Sequence, residues 1–254
     1  MTERHRGFVS ATEPGVVAGL EFVDPGTLAW PAGEWRILVA EGQAVEAGER
    51  LVEVTGTPPE LSTAEDHVLG ALGFASGIAT AARRFVAAAP PGLRIICGGW
   101  KKLPFAIKPV LRAGLAAAGV SPRLLDTDFV YTDKNALKLF GGISEVVRAG
   151  LAVGHGGVSI QVKNAADATV AARAGATAVM VDTGRIEDLV EAQRSLTEQG
   201  LRDGVTLAFS GGVRMEDLAR VRAAGADAVD IGRAILEAPL LDLRFDVDLS
   251  GETR

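Results

Sequence analysis

SGGVRMEDLARVRAAGADAVDIGRAI, residues Ser210 to Ile235, holds two glycine turns, Ser210-Gly211-Gly212 and Gly232-Arg233. Each follows a short apolar run, Thr206–Phe209 and Ala228–Ile231, and each opens a helical pattern. The second half, VRAAGADAVDIG (Val221–Gly232), repeats an earlier segment, AARAGATAVMVD (Ala171–Asp182). Both pass from a helix end through a glycine C-cap into a β-run. Repeated β-α units imply a parallel sheet with right-handed crossovers. Further β-runs fall at Arg94–Cys97, Phe129–Thr132, Val158–Val162 and Ala178–Val181. Six strands are fewer than the eight of a closed barrel, so the pattern alone allows an incomplete barrel or an open doubly wound sheet.

Upstream of Leu93 the texture differs. Phe8–Ser10, Val16–Leu20, Trp35–Ala40 and Arg50–Val54 read as short strands. Gly42 and Gly48 punctuate VAEGQAVEAGERLVEVTG (Val39–Gly56), which is similar to the hairpin of lipoyl and biotinyl carriers. It has no lysine for a hairpin tip, which favours a plain β-sandwich. Ser62 and Glu65 resemble a capping box and predict a long helix over Thr63–Ala88, whose small residues permit close backbone packing. Pro90 and Pro91 end it. The chain therefore divides into a region of short strands and a long helix over 1–90 and a region of β-α units over 91–254.

Composition sets outer bounds. The chain has 254 residues, 48% hydrophobic and 23% charged, enough for a sizeable core. A net charge of -6 argues against nucleic-acid binding. Cys97 is the single cysteine, which fits a reducing cytoplasm and excludes an internal disulfide. The N-terminus is polar, without the apolar core of a signal peptide. The apolar stretch Leu69–Ala89 is interrupted by Arg83 and Arg84 and reads as a buried helix, not a membrane span.

In parallel α/β folds, ligands bind at the carboxyl ends of strands. Glycine turns there let the backbone approach an anion, and helix N-termini offer N–H groups and a favourable dipole. Ser210, Gly211, Gly212 and Gly232 therefore read as a phosphate cup, with Arg233 as a charged clasp. Asp182 closes its strand, where it suits ribose hydroxyls, a metal-bound diphosphate or a helix N-cap. Asp133 and Lys134 raise the same choice. Lys101, Lys102 and Lys108, with Arg123 further on, form a basic cluster beside Trp100, whose ring suits stacking. No nucleophile-base-acid series stands out. The three histidines share no metal-like spacing, and no dinucleotide fingerprint follows a strand, so no organic cofactor is implied.

GVVAGLEF, VAEGQAVEAGERLVEVTG, LSTAEDHVLGALGFASGIATAARRFV, Lys163-Asn164, AVMVD, SGGV and LDLRFDV follow one another along the chain. With these motifs, nearly the whole chain, Phe8 to Val247, resembles the quinolinate phosphoribosyltransferase family. The resemblance implies an open six- to seven-stranded β/α barrel with an N-terminal α/β sandwich-like domain. It also implies a homodimer or higher homo-oligomer whose N-terminal domain covers a partner's barrel mouth. The implied chemistry is Mg²⁺-assisted transfer of ribose 5-phosphate from phosphoribosyl diphosphate to an aromatic acid. By this resemblance Asp182 serves ribose and metal, Ser210–Gly212 and Gly232 the phosphate, and Lys101 and Arg123 the charged rim. Asp133 is a second metal candidate.

The departures cluster where the acceptor should bind. Trp100 replaces one family arginine, Asp66 another, and Pro122 a histidine. Thr132-Asp133-Lys134-Asn135 replaces Lys-Asp-Asn-His, and the glutamates of the family's next strand are replaced around Ser159, Gln161 and Lys163. The chain also begins later than the family pattern. Losing two arginine contacts removes roughly 1.5–3 kcal/mol each from a dicarboxylate. The expected enzyme is thus a pentosyltransferase with a small aromatic acceptor other than quinolinate, shaped by Asp66, Trp100, Thr132, Lys134 and Gln161. The alternatives are a sugar-phosphate lyase or isomerase using Lys101 or Lys134 as a Schiff base, and a non-catalytic phosphate-ligand binder.

Overall fold

The computed structural model describes residues 3–23, 33–154 and 156–248. In chain order its strands and helices are β1 (His5–Ala11), β2 (Gly15–Val16), β3 (Glu34–Ile37), β4 (Ala44–Val45), β5 (Arg50–Gly56), α1 (Pro58–Ala88), β6 (Arg94–Ile96), α2 (Lys108–Ala117), β7 (Val130–Thr132), α3 (Lys134–Phe140), α4 (Ile143–Ala152), β8 (Val158–Val162), α5 (Ala165–Arg173), β9 (Ala178–Asp182), α6 (Ile186–Glu198), β10 (Thr206–Ser210), α7 (Leu218–Ala223), β11 (Ala228–Asp230), α8 (Arg233–Leu236) and β12 (Leu243–Asp248). They form two compact units, one of Met1–Arg84, Trp100–Val120 and Ile235–Arg254, the other of Phe85–Gly99 and Ser121–Ala234.

The first unit is built on an antiparallel sheet ordered β12-β1-β5-β3. Val9, Leu51, Val52 and Val54 are fully buried in it. Leu61, Ala64, Val68 and Leu72 of α1 recur at helical spacing and join the same core. The helix starts at Pro58, before the expected Thr63. Proline suits a first helical turn, and the Glu60 carboxylate accepts the Thr57 N–H at 2.7 Å, so the cap lies upstream of Ser62. That hydrogen bond holds the Glu60 carboxyl below the ordinary glutamate range. The small residues of α1 do let backbone approach: the Gly73 carbonyl accepts the Leu241 N–H at 2.9 Å, and Gly77 faces Pro239.

The second unit is a six-stranded sheet ordered β6-β11-β10-β9-β8-β7, parallel throughout. An isolated parallel bridge, Ile96 to Ser121, adds the trace of a seventh strand beside β6. Ile96, Leu124, Ala178, Met180, Ala208 and Ala228 form the interior core. The repeated β-α units end their helices as expected: Gly175 and Gly225 sit at φ 100 and 99. The following N–H groups reach back to Ala171 and Val221.

Along the chain the two units alternate. Segments 100–120 and 235–254 belong with the first unit. There β12 pairs with β1 from Leu243 opposite Ala11 to Asp248 opposite Arg6, and Gly114 of α2 packs on the Ala75 carbonyl. Among the described residues, no helix is long and apolar enough to cross a membrane.

Candidate active site

Side chains alternate along a strand, so the residues in line with Ala178, Ala208 and Ala228 face the interior of the second unit. Continuing that alternation to the carboxyl ends places Tyr131 of β7, Gln161 of β8, Asp182 of β9, Ser210 of β10 and Asp230 of β11 at one mouth. Asp182 is its centre. Ser210 Oγ donates to Asp182 Oδ1 at 2.6 Å, and Gln161 Nε2 donates to Oδ2 at 3.1 Å. Both are charge-assisted, the stronger class of hydrogen bond. Asp230 Oδ1 accepts the Gly98 N–H at 2.8 Å, tying the end of β11 to the turn after β6. Burial, followed by the charges of Asp133, Asp182 and Asp230, pushes the Tyr131 hydroxyl up to about 12. The mouth is therefore a field of carboxylates around a phenol that stays protonated.

Beside it lie the glycine turns. Gly184, Gly211 and Gly212 have φ 70, 114 and 83, where a side chain is strained. A Cβ on Gly211 would fall on the Gly184 amide nitrogen, and one on Gly184 would fall on the Gly211 carbonyl oxygen. The Gly184 N–H also donates to the Ser210 carbonyl at 3.0 Å. The turns after β9 and β10 are thus locked backbone to backbone. A cleft of about 310 Å³ opens beside them, lined by Gly184, Arg185, Gly212 and Arg214 among others. Gly232 differs: its φ lies outside the left-handed region, and a Cβ there would meet open space. Neither strain nor packing within the fold demands glycine at that turn.

The remaining site candidates belong to both units. Thr132, expected in the acceptor pocket, is 4% exposed and spends its hydroxyl on the Ser159 carbonyl at 2.9 Å. One step of strand alternation turns it away and gives the mouth Tyr131 instead. Asp133 caps α3, its Oδ1 accepting the N–H groups of Asn135 and Ala136. Lys134 is exposed in the first turn of that helix. Arg123 pairs with Asp128 at 3.1 Å and lies over the Phe129 ring. Arg233 is exposed at the start of α8. Asp66 and Lys101 belong to the first unit, both exposed. The side chain of Trp100 and all of His155 lie outside the described residues. Sequence reasoning missed Tyr131 and the packing of Gly184 on Gly211; the signal for Tyr131 was the alternation Phe129, Tyr131, Asp133.

The expected Mg²⁺ donors fit poorly. Asp182 meets the amide of Gln161 and not a second carboxylate, and Asp133 is a helix cap. Among the described residues no group of three or more His, Cys, Asp or Glu could hold a metal ion.

Comparison with known proteins places this geometry. The family models for the N-terminal and C-terminal domains of quinolinate phosphoribosyl transferase match residues 2–76 and 78–246. A probable carboxylating nicotinate-nucleotide pyrophosphorylase from Methanothermobacter thermautotrophicus is 26% identical, covering 94% of this chain and 87% of that protein. The carboxylating nicotinate-nucleotide pyrophosphorylase of Homo sapiens is 29% identical over 91% of this chain and 78% of its own length. The solved nicotinate-nucleotide pyrophosphorylase from Francisella tularensis superposes with a TM-score of 0.83 at 21% identity, over 98% of this chain and 88% of that one, and shares the fold.

Proposed function

The chain belongs to the quinolinate phosphoribosyl transferase family, and we propose from this that it transfers a phosphoribosyl group to a heteroaromatic acceptor other than quinolinate. It is a pentosyltransferase of the nicotinate-nucleotide pyrophosphorylase type. In the proposed reaction the 5-phosphate sits on the backbone of Ser210–Gly212 and Gly232, next to Arg233. Gly232, which the fold does not require, supports this, because a bare turn lets a ligand approach the main chain. The sugar hydroxyls face Asp182. The bond from the anomeric carbon to the diphosphate loosens ahead of acceptor attack, and the carboxylates of the mouth stabilise the positive charge that develops. No side-chain nucleophile is needed.

The observation that carries the acceptor reading is the sign of the mouth. Burial raises Tyr131, and the charges of Asp133, Asp182 and Asp230 raise it further. Arg123, the arginine the family pattern leaves on that side, is paired with Asp128. A dicarboxylate brought there meets like charge. A neutral or weakly charged ring does not. The test is pyrophosphate release from phosphoribosyl diphosphate with a panel of heteroaromatic acceptors, quinolinate among them. Release with a neutral ring and none with quinolinate is the expected result. Release with quinolinate alone returns the chain to the activity for which its relatives are named, and no release with any acceptor overturns the transferase reading.

A further inference from the structure

The Asp182 carboxylate meets its neighbours in a way that fixes their chemistry. A carboxylate only accepts hydrogen bonds, so the Gln161 group facing it is the amide nitrogen, not the oxygen. Ser210, 5% exposed, turns its proton toward the other carboxylate oxygen. Each oxygen keeps a second lone pair, and Asp182 itself is exposed, so it can still accept from a ligand hydroxyl.

A divalent cation held by the protein itself gains from a second carboxylate beside the first, because hard cations take oxygen ligands and their charge. The inward face of β8 supplies none. Gln161 is an amide, and Ser159, two residues earlier on the same face, is a fully buried hydroxyl whose Oγ has no hydrogen-bond partner. The other nearby acids each spend one oxygen on backbone: Asp133 Oδ1 caps α3 and Asp230 Oδ1 holds the Gly98 N–H. Two neighbouring carboxylates would repel and call for a cation, whereas an amide donating to a carboxylate is satisfied without one.

We propose that Gln161 is a positioning residue: with Ser210 it holds Asp182 as a fixed acceptor for sugar hydroxyls, making sugar-phosphate binding independent of a protein-bound divalent cation. This rests on the sugar-phosphate reading above. It concerns the protein's own donor set, so the probe is ribose 5-phosphate, which lacks the diphosphate that chelates Mg²⁺ by itself.

The experiment has two arms on the full chain. Calorimetry measures ribose 5-phosphate binding in EDTA and in excess Mg²⁺, and electron paramagnetic resonance measures Mn²⁺ binding to the protein alone. The expected result is equal sugar-phosphate affinity in both buffers and no Mn²⁺ bound more tightly than about millimolar, the weak end for carboxylate sites. Gln161→Glu is expected to gain at least about tenfold in Mn²⁺ affinity and to bind ribose 5-phosphate only when Mg²⁺ is present, as a carboxylate pair requires. Should that variant fail to fold, Gln161→Ala serves: its sugar-phosphate affinity drops in both buffers alike, and Mn²⁺ binding stays absent. Wild-type binding that needs Mg²⁺, or Mn²⁺ binding that Asp182→Asn abolishes, overturns the inference and leaves the sugar-phosphate reading standing. No ribose 5-phosphate binding in either buffer overturns both.

Discussion

Gly211 and Gly212 are adjacent, and both have positive φ, yet they do different work. At Gly212 a Cβ meets open space, so alanine suffers only the left-handed backbone, about 1–2 kcal/mol. At Gly211 the same strain is joined by collision with the Gly184 amide, which cannot yield without moving the turn after β9. Gly211→Ala is expected to cost about 3 kcal/mol or more in denaturant unfolding, and Gly212→Ala clearly less. Equal losses would show that the two turns are not locked. Tyr131 allows a second prediction at this scale, since the chain has one tyrosine. Absorbance of the native protein is expected to show tyrosinate only near pH 12, against about 10 when unfolded. The folded value is the raised one, so stability is fully present below pH 10 and falls as pH climbs to 12. Asp182→Asn and Asp133→Asn each remove a raising charge, and each is expected to bring the titration down. An unmoved titration would place those carboxylates away from the phenol.

Elements were legible in proportion to how local their causes are. The parallel strands follow from a repeated helix-glycine-strand unit, and Gly175 and Gly225 adopt the left-handed caps that the repeat needs. The start of α1 misled because Ser62 and Glu65 carry a capping signature, while Thr57, Pro58 and Glu60 carry the actual cap. In β12, Leu243, Phe245 and Val247 alternate with charged residues, a readable period of two, but nothing nearby says that the partner is β1 at the other end of the chain. The small residues of α1 permit a prediction at this scale. A Cβ on Gly77 would fall on the Pro239 carbonyl oxygen, whereas one on Gly70 meets nothing. Gly77→Ala is therefore expected to lower stability by about 1–3 kcal/mol through overpacking. Gly70→Ala is expected to raise it by up to about 1 kcal/mol through helix propensity. Thermal unfolding of the two variants distinguishes them, and a stabilising Gly77→Ala would refute the close approach of α1 and Pro239.

At the scale of the molecule, glycine turns and Asp182 could be read from strand ends, because the carboxyl edge of a parallel sheet is where ligands bind. Which of two neighbouring side chains faces that edge could not, since a one-residue error in phase exchanges Thr132 for Tyr131. The same limit applies to domain boundaries. Pro90 and Pro91 mark the end of a helix, but compactness depends on which segments pair, and the first unit takes its last strand from the C-terminal end of the chain. Without β12, β1 would present its main-chain groups as a bare edge along the whole register from Arg6 to Ala11. Without 100–120, Gly114 no longer covers the Ala75 carbonyl of α1. A fragment ending at residue 90 therefore lacks two of the surfaces that close its core, and a domain that small has little stability to spare. Expressed alone, it is expected to aggregate or to give the poorly dispersed amide spectrum of an unfolded chain. A fragment of 1–90 with a cooperative unfolding transition would show that β12 and α2 decorate a self-sufficient domain instead of completing it.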